Sequence, residues 1–164
     1  MTLGVPSVGD AKAVHALVGA CAPLDLNSTY AYLLLCAHFA ETCVIATQDG
    51  HAVGFVSAYV PPQRNDVIFV WQVAVAESAR GQGLAGRMLL ELLARPAARR
   101  CNYLETTVTP SNAPSTKLFR GLARELGAPL EEVPMFKEED FGAERHEAET
   151  LFRVGPIRGR PGPT

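Results

Sequence analysis

The spacing of apolar residues changes several times along this chain, and each change marks an element. Val5-Pro6 reads as a short first strand. Ala13, Val14, Leu17 and Val18 then repeat at helical spacing behind Asp10, which is suited to accept from first-turn amides. A second helix is expected from Thr29, after the capping pair Asn27-Ser28, with Tyr30, Leu33, Leu34 and Ala37 on its stripe. Residues 42–47 read as a strand through Cys43, Val44, Ile45 and Ala46. Gln48-Asp49-Gly50-His51 predicts a hairpin turn, because glycine supplies the positive φ that a tight turn needs. Residues 52–60 form the returning strand, and Pro61-Pro62-Gln63-Arg64-Asn65-Asp66 is a loop.

Residues 67–75 read Val-Ile-Phe-Val-Trp-Gln-Val-Ala-Val, an almost unbroken apolar run expected of a strand buried on both faces. A glycine-bearing turn at 80–83 leads into a helix with Leu84, Met88, Leu89, Leu92 and Leu93 on one stripe, and Pro96 limits its extension. Residues 103–108 predict a fifth strand. Residues 112–126 predict a fourth helix with stripe Leu118, Phe119, Leu122, Ala123 and Leu126, closed by Gly127. Residues 130–136 and 149–154 complete the set, and from Gly155 the Pro/Gly-rich segment 155–164 has no period and reads as a flexible tail. The order β-α-α-β-β-β-α-β-α-β-β indicates an α/β fold with a mixed sheet. At 164 residues the chain fits a single domain, taken as 1–154.

Composition narrows the function classes. The net charge of −2 provides no global basic field for nucleic acid. The apolar run at 31–40 is interrupted by His38 and is too short for a bilayer, and no signal segment is read at the N-terminus, so a cytoplasmic protein is expected. Cys21, Cys36, Cys43 and Cys101 form no CxxC pair, and the histidines lack metal-ligand spacing; buried reduced thiols and no metal are expected.

The turn Arg80-Gly81-Gln82-Gly83-Leu84-Ala85-Gly86 lies between a buried strand and an amphipathic helix. Free amides and a partial positive charge at a helix start attract oxyanions, and glycines permit close backbone approach. By itself the spacing is weak, since GQG is also a common loop. Its mid-chain context argues against a dinucleotide fingerprint. RGQGLA at 80–85, however, fits the R/Q-x-x-G-x-G/A signature of the GNAT acetyltransferases. WQVAV at 71–75 resembles their fourth strand and TPSNAPSTKLF at 109–119 their second cofactor element, in family order. The resemblance implies a fold with a mixed, mostly antiparallel sheet, splayed between the fourth and fifth strands and flanked by helices on both faces. It also implies acetyl-CoA as co-substrate, its pyrophosphate on Arg80, Gly81, Gln82, Gly83, Ala85 and Gly86. Val73 and Val75 would pair with the pantetheine arm, an amide near Val73 or Ala74 would face the thioester carbonyl, and Asn112 would contact the pantetheine or the amine. Many members carry a tyrosine that protonates the leaving thiolate; Phe119 stands at the matching position.

An amine attacks a thioester only when neutral, so a carboxylate near it is expected. The segments PLDLNSTYAYLLL, FVWQVAV, YLETTVTPSN and RHEAETLFRVGP look like the diaminobutyrate acetyltransferases of ectoine biosynthesis. That likeness implies acetyl transfer to the 4-amino group of L-2,4-diaminobutyrate, and a homodimer. A small dibasic amino acid suits Asp25 as ammonium ligand, Trp71 as a wall, Tyr30 and His146 toward the carboxylate, and Glu105 as general base, directly or through water. Each has a plainer alternative: a capping Asp25, a core Trp71, an exposed helix Tyr30, a surface Glu105 and a solvated His146. Another GNAT enzyme acting on a different small amine, a protein N-terminus or an aminoglycoside, and a non-catalytic acetyl-CoA-binding module, remain as competing readings.

Overall fold

A computed structural model describes residues 1–157. Its elements are β1 (Thr2–Gly4), α1 (Ala11–Gly19), α2 (Thr29–His38), β2 (Val44–Gln48), β3 (His51–Tyr59), β4 (Val67–Val75), α3 (Leu84–Ala94), β5 (Tyr103–Val108), α4 (Ala113–Glu125), β6 (Leu130–Phe136) and β7 (Glu149–Val154). This is the order expected from the periodicity. The fold is mixed α/β, and the strands follow the order β1-β2-β3-β4-β5-β7-β6. The chain divides into two compact units, Met1–Val60 with Val70–Arg99, and Pro61–Phe69 with the residues from Arg100 onward.

In the first unit, β1, β2 and β3 are antiparallel neighbours. Asp49 and Gly50 both take positive φ, which closes the β2–β3 hairpin where the sequence places it. Alternation along these strands builds two apolar faces. Ile45 and Phe55 face one way and join Val14, Leu17, Val18, Tyr32, Leu35 and Cys36 of α1 and α2 in one cluster. Their neighbours Ala46 and Gly54 face the other way, where the Met88 side chain of α3 meets Gly54. All five stripe residues predicted for α3 are buried. Arg95, at the end of α3, is buried too: its guanidinium donates to the carbonyls of Cys43 and, at 2.9 Å, of Gly4, and pairs with Glu91.

Three expectations for this unit need correction. The first strand ends at Gly4, before Val5-Pro6. The Asp10 carboxylate does not cap α1; it accepts from the amide and hydroxyl of Ser7, 2.7 and 2.8 Å away, and closes a 3-10 turn before the helix. In α2, which Ser28 does cap, the buried residues are Tyr32, Leu35 and Cys36 rather than the expected stripe. The helix is apolar nearly all round, so periodicity could not choose its face.

In the second unit β7 pairs antiparallel with both β5 and β6. The amphipathic α4 buries Phe119, Leu122 and Ala123 and ends on Gly127 at φ 58, with Ala128 N–H donating to the Ala123 carbonyl. Arg120 of α4 donates twice to Glu132 of β6, at 2.7 and 3.0 Å. Ordered chain continues past the boundary expected at Val154: the Gly155 amide donates to the Pro129 carbonyl, Ile157 to that of Asn102, and Ile157 is buried. Residues 158–164 of the expected tail lie outside the described residues.

Gly155 has φ 143, and a Cβ there would sit 2.6 Å from the Asn102 carbonyl oxygen. Gly155→Ala should therefore cost about 3 kcal/mol, from a rigid backbone clash added to a disfavoured conformation; a urea midpoint unchanged from wild type would contradict this. All four cysteines are outside disulfides and buried, as expected. Burial pushes the Cys36 thiol up to about 11 and the Cys43 thiol up to about 12. Unfolding restores ordinary thiol values, so this contribution to native stability is complete below them and is lost as pH rises through the native values. A thiol-specific reagent at about pH 8 should leave both unlabelled in the native protein and label them in urea.

Candidate functional site

The turn after β4 is built to begin a helix without a side-chain cap. A 3-10 turn at Glu77–Ala79 leads to an extended Arg80; Gly81 follows at φ 73 and Gly83 at φ 69. Gly83 is the N-cap residue of α3 and, as glycine, offers no side chain to cap the helix's first amides. The first i to i−4 bond runs from Arg87 N–H to the Gly83 carbonyl at 3.1 Å, so the amides of Leu84, Ala85 and Gly86 precede it. No acidic residue lies in the first turn. Arg80, Gly81, Gln82 and Gly83 are exposed, and Ala85 and Gly86 are half-buried. A Cβ on Gly86 would meet nothing within 4 Å, so internal packing does not require its small size. Amide donors, a helix-end partial charge and the Arg80 cation together suit an anionic diphosphate. Arg80 Nε is anchored at 3.2 Å to the Val75 carbonyl, and Gln82 donates to the Ser78 carbonyl at 3.3 Å.

Of the β4 residues expected along a cofactor arm, Ala74 is buried, and Val73 and Val75 are half-buried. The Val75 carbonyl already accepts from Arg80 and, at 3.4 Å, from the Cys21 thiol. The strand is not buried on both faces as its apolar run suggested: Trp71 is 45% exposed while Val70 and Gln72 are buried. Consecutive residues leave a strand on opposite faces, so the indole projects away from the face that carries Gln72. Gln72 donates from Nε2 to the Asp25 carbonyl at 2.6 Å and accepts at Oε1 from the Tyr32 hydroxyl at 3.0 Å. Asp25 is exposed in the segment before α2, and Tyr30 is 68% exposed on the helix's outer side.

The second unit holds the remaining expected residues. Glu105 of β5 is only 7% exposed, not a surface carboxylate. Its Oε1 accepts from Arg153 Nε of β7 at 2.6 Å and lies 3.6 Å from Arg64 Nη2. Register explains the first contact, because Glu105 stands opposite Arg153 in the β5–β7 ladder. Arg153 also lies over the Tyr103 ring, 5.7 Å from its centroid, and 3.8 Å from Glu131. The bonded carboxylate raises the Arg153 guanidinium further above its ordinary value. Both arginines escaped the sequence reading; only the strand register reveals Arg153, and Arg64 sat in a stretch that looked like plain loop. Asn112 is the N-cap of α4, its Oδ1 accepting from Ser115 N–H at 3.1 Å. His146 is half-buried, stacked on Phe141 with ring centroids 3.9 Å apart and held by the Glu147 carbonyl at 2.6 Å and Glu149 at 3.9 Å. Phe119 is buried.

Residues 12–123 match the family described as the acetyltransferase (GNAT) family. The chain is 51% identical over 157 residues to the L-2,4-diaminobutyric acid acetyltransferase of Bordetella parapertussis, covering 95% of this chain and 84% of that protein. It is 48% identical to the enzyme of the same name from Halalkalibacterium halodurans, covering 96% and 82%. Among solved structures, the diaminobutyrate acetyltransferase EctA from Paenibacillus lautus, in complex with its substrate L-2,4-diaminobutyric acid and coenzyme A, superposes with a TM-score of 0.92. It is 41% identical, and 98% of each chain is covered. A ribosomal-protein-alanine N-acetyltransferase from Brucella melitensis, 20% identical with a TM-score of 0.71, shares the fold.

Breaking the Glu105 pair from one side strands a buried charge. Arg153→Met should cost about 3 kcal/mol, and adding Glu105→Gln should recover most of it, because a neutral amide no longer needs the cation. Urea midpoints of the two single variants and the double variant test this; simple additivity would count against a coupled pair.

Proposed function

We propose that this chain, which belongs to the GNAT acetyltransferase family, transfers the acetyl group of acetyl-CoA to the 4-amino group of L-2,4-diaminobutyrate. The product is N4-acetyl-L-2,4-diaminobutyrate, for ectoine biosynthesis. What supports the reading is likeness along nearly the whole chain to enzymes of that one activity, joined to the uncapped start of α3.

The residues divide the work as follows. Amides at the start of α3, with Arg80, Gly81, Gln82, Gly83, Ala85 and Gly86, hold the cofactor diphosphate. The backbone of Val73, Ala74 and Val75 carries the pantetheine arm, and the amide of Val73 or Ala74 stabilises the developing oxyanion. Since the Val75 carbonyl already has two donors, the Val73 backbone is the better candidate for the arm. Asn112 reaches the same cofactor while its Oδ1 caps α4. Asp25 holds an ammonium of the substrate, Trp71 walls the pocket, and Tyr30 and His146 meet the carboxylate. With the α-amino and carboxylate groups anchored, only the 4-amine comes within attack range of the thioester. Glu105 takes the ammonium proton through Oε2, directly or through water, while Arg153 and Arg64 hold Oε1. The neutral amine then bonds to the thioester carbon, the carbon–sulfur bond breaks, the thiolate leaves, and the nitrogen gives up its second proton to water. Phe119 cannot protonate it, so a water or another hydroxyl does. The chain acts as one acetyltransferase domain, in the cytoplasm, with no metal. The exposed Val133, Met135 and Phe136 on β6, last in the strand order, support a homodimer formed through that strand.

Thiol release from acetyl-CoA should have its highest kcat/KM with 2,4-diaminobutyrate, below it ornithine and then lysine. A preference for lysine would refute the pocket length. Glu105→Gln should lower kcat by about 100-fold, and unaltered turnover would remove Glu105 from the chemistry.

A further inference from the structure

Gln72 is an amide side chain in an apolar strand, 5% exposed, and it is bonded on every side. Its backbone amide donates to Ser57 Oγ at 3.1 Å. Its side-chain orientation follows from its partners. The Asp25 carbonyl can only accept, so Nε2 must face it, at 2.6 Å. Oε1 is then left for Tyr32, whose hydroxyl must donate, at 3.0 Å. The Tyr32 oxygen in turn accepts from the Asn27 amide at 3.5 Å. Tyr32 itself is fully buried, edge-on to His15 and Phe55. The hydrogen bonds thus form a loop that leaves the chain at Asn27, passes through the core and returns to it at Asp25. Asp25 and Leu26 are otherwise exposed, and the anchor of this stretch lies 47 residues away along the chain.

We infer that Gln72, seconded by Tyr32, is a positioning residue that fixes residues 25–27 and thereby sets affinity for the amine substrate. This rests on the reading that Asp25 binds that substrate. The backbone on either side of Asp25 is pinned by two directed bonds, so its carboxylate is carried at a set place without ordering cost on binding. The cofactor turn at 80–86 shares none of these bonds, so the effect falls on one substrate only.

The test compares Gln72→Met, which keeps the length and loses both side-chain bonds, with Tyr32→Phe, which keeps the Gln72–Asp25 bond, and with Asp25→Asn. Gln72→Met should raise KM for 2,4-diaminobutyrate by about tenfold and Tyr32→Phe by less, with KM for acetyl-CoA within about twofold and kcat within about threefold. Amide hydrogen exchange of the full chain should speed up at residues 25–27 in Gln72→Met while α3 is unchanged. Equal rises in both KM values, or unaltered exchange at 25–27, would overturn the positioning role. An Asp25→Asn variant with wild-type KM for the diamine would instead sink the assignment of Asp25, and the exchange result then decides the role of Gln72 by itself.

Discussion

A helix that starts on a glycine keeps its first amide hydrogens for something other than its own side chains. At Gly83 the left-handed backbone and the missing side chain act together: the first leads the chain out of β4 into α3, the second leaves the first-turn donors uncapped. Ser28 and Asn112 show the contrast, since each caps its helix with its own oxygen. Among the described residues, only α3 combines an uncapped start, an exposed glycine turn and a neighbouring arginine. In the proposed function a diphosphate satisfies all three.

Elsewhere the structure spends its buried polar groups on anchoring backbone. Arg95 serves carbonyls of Gly4 and Cys43 and Gln72 serves that of Asp25, while the buried carboxylate of Glu105 is paired by the half-buried Arg153. Left unpaired, each such group costs about 1–3 kcal/mol, and more if charged. The pairing is therefore obligatory, and it transfers precision from strands to segments that have little packing of their own. Asp25 is placed in this way.

The arginine pair gives Glu105 a defined division of labour. Arg153 and Arg64 both lie at its Oε1, so under the proposed function proton transfer and ammonium contact fall to Oε2. Regioselectivity on a diamine requires such fixed geometry, because the two amines differ in position far more than in chemistry.

Periodicity and turn chemistry determined the elements. β4, β5, β6 and β7 fall at the residues expected, as do the α3 stripe, the Asp49-Gly50 hairpin and the Gly127 helix end, since each depends on neighbours a few positions away. The glycine turn and the fold family were legible for the same reason. Tertiary structure alone decided which side of the uniformly apolar α2 is buried and that Trp71 is exposed in an apolar strand. It alone matched Glu105 with Arg153 and Asp25 with Gln72, partners 48 and 47 residues apart. Local sequence records what a residue can bond to; strand register and packing choose the partner, because they bring together groups that the chain itself keeps far apart.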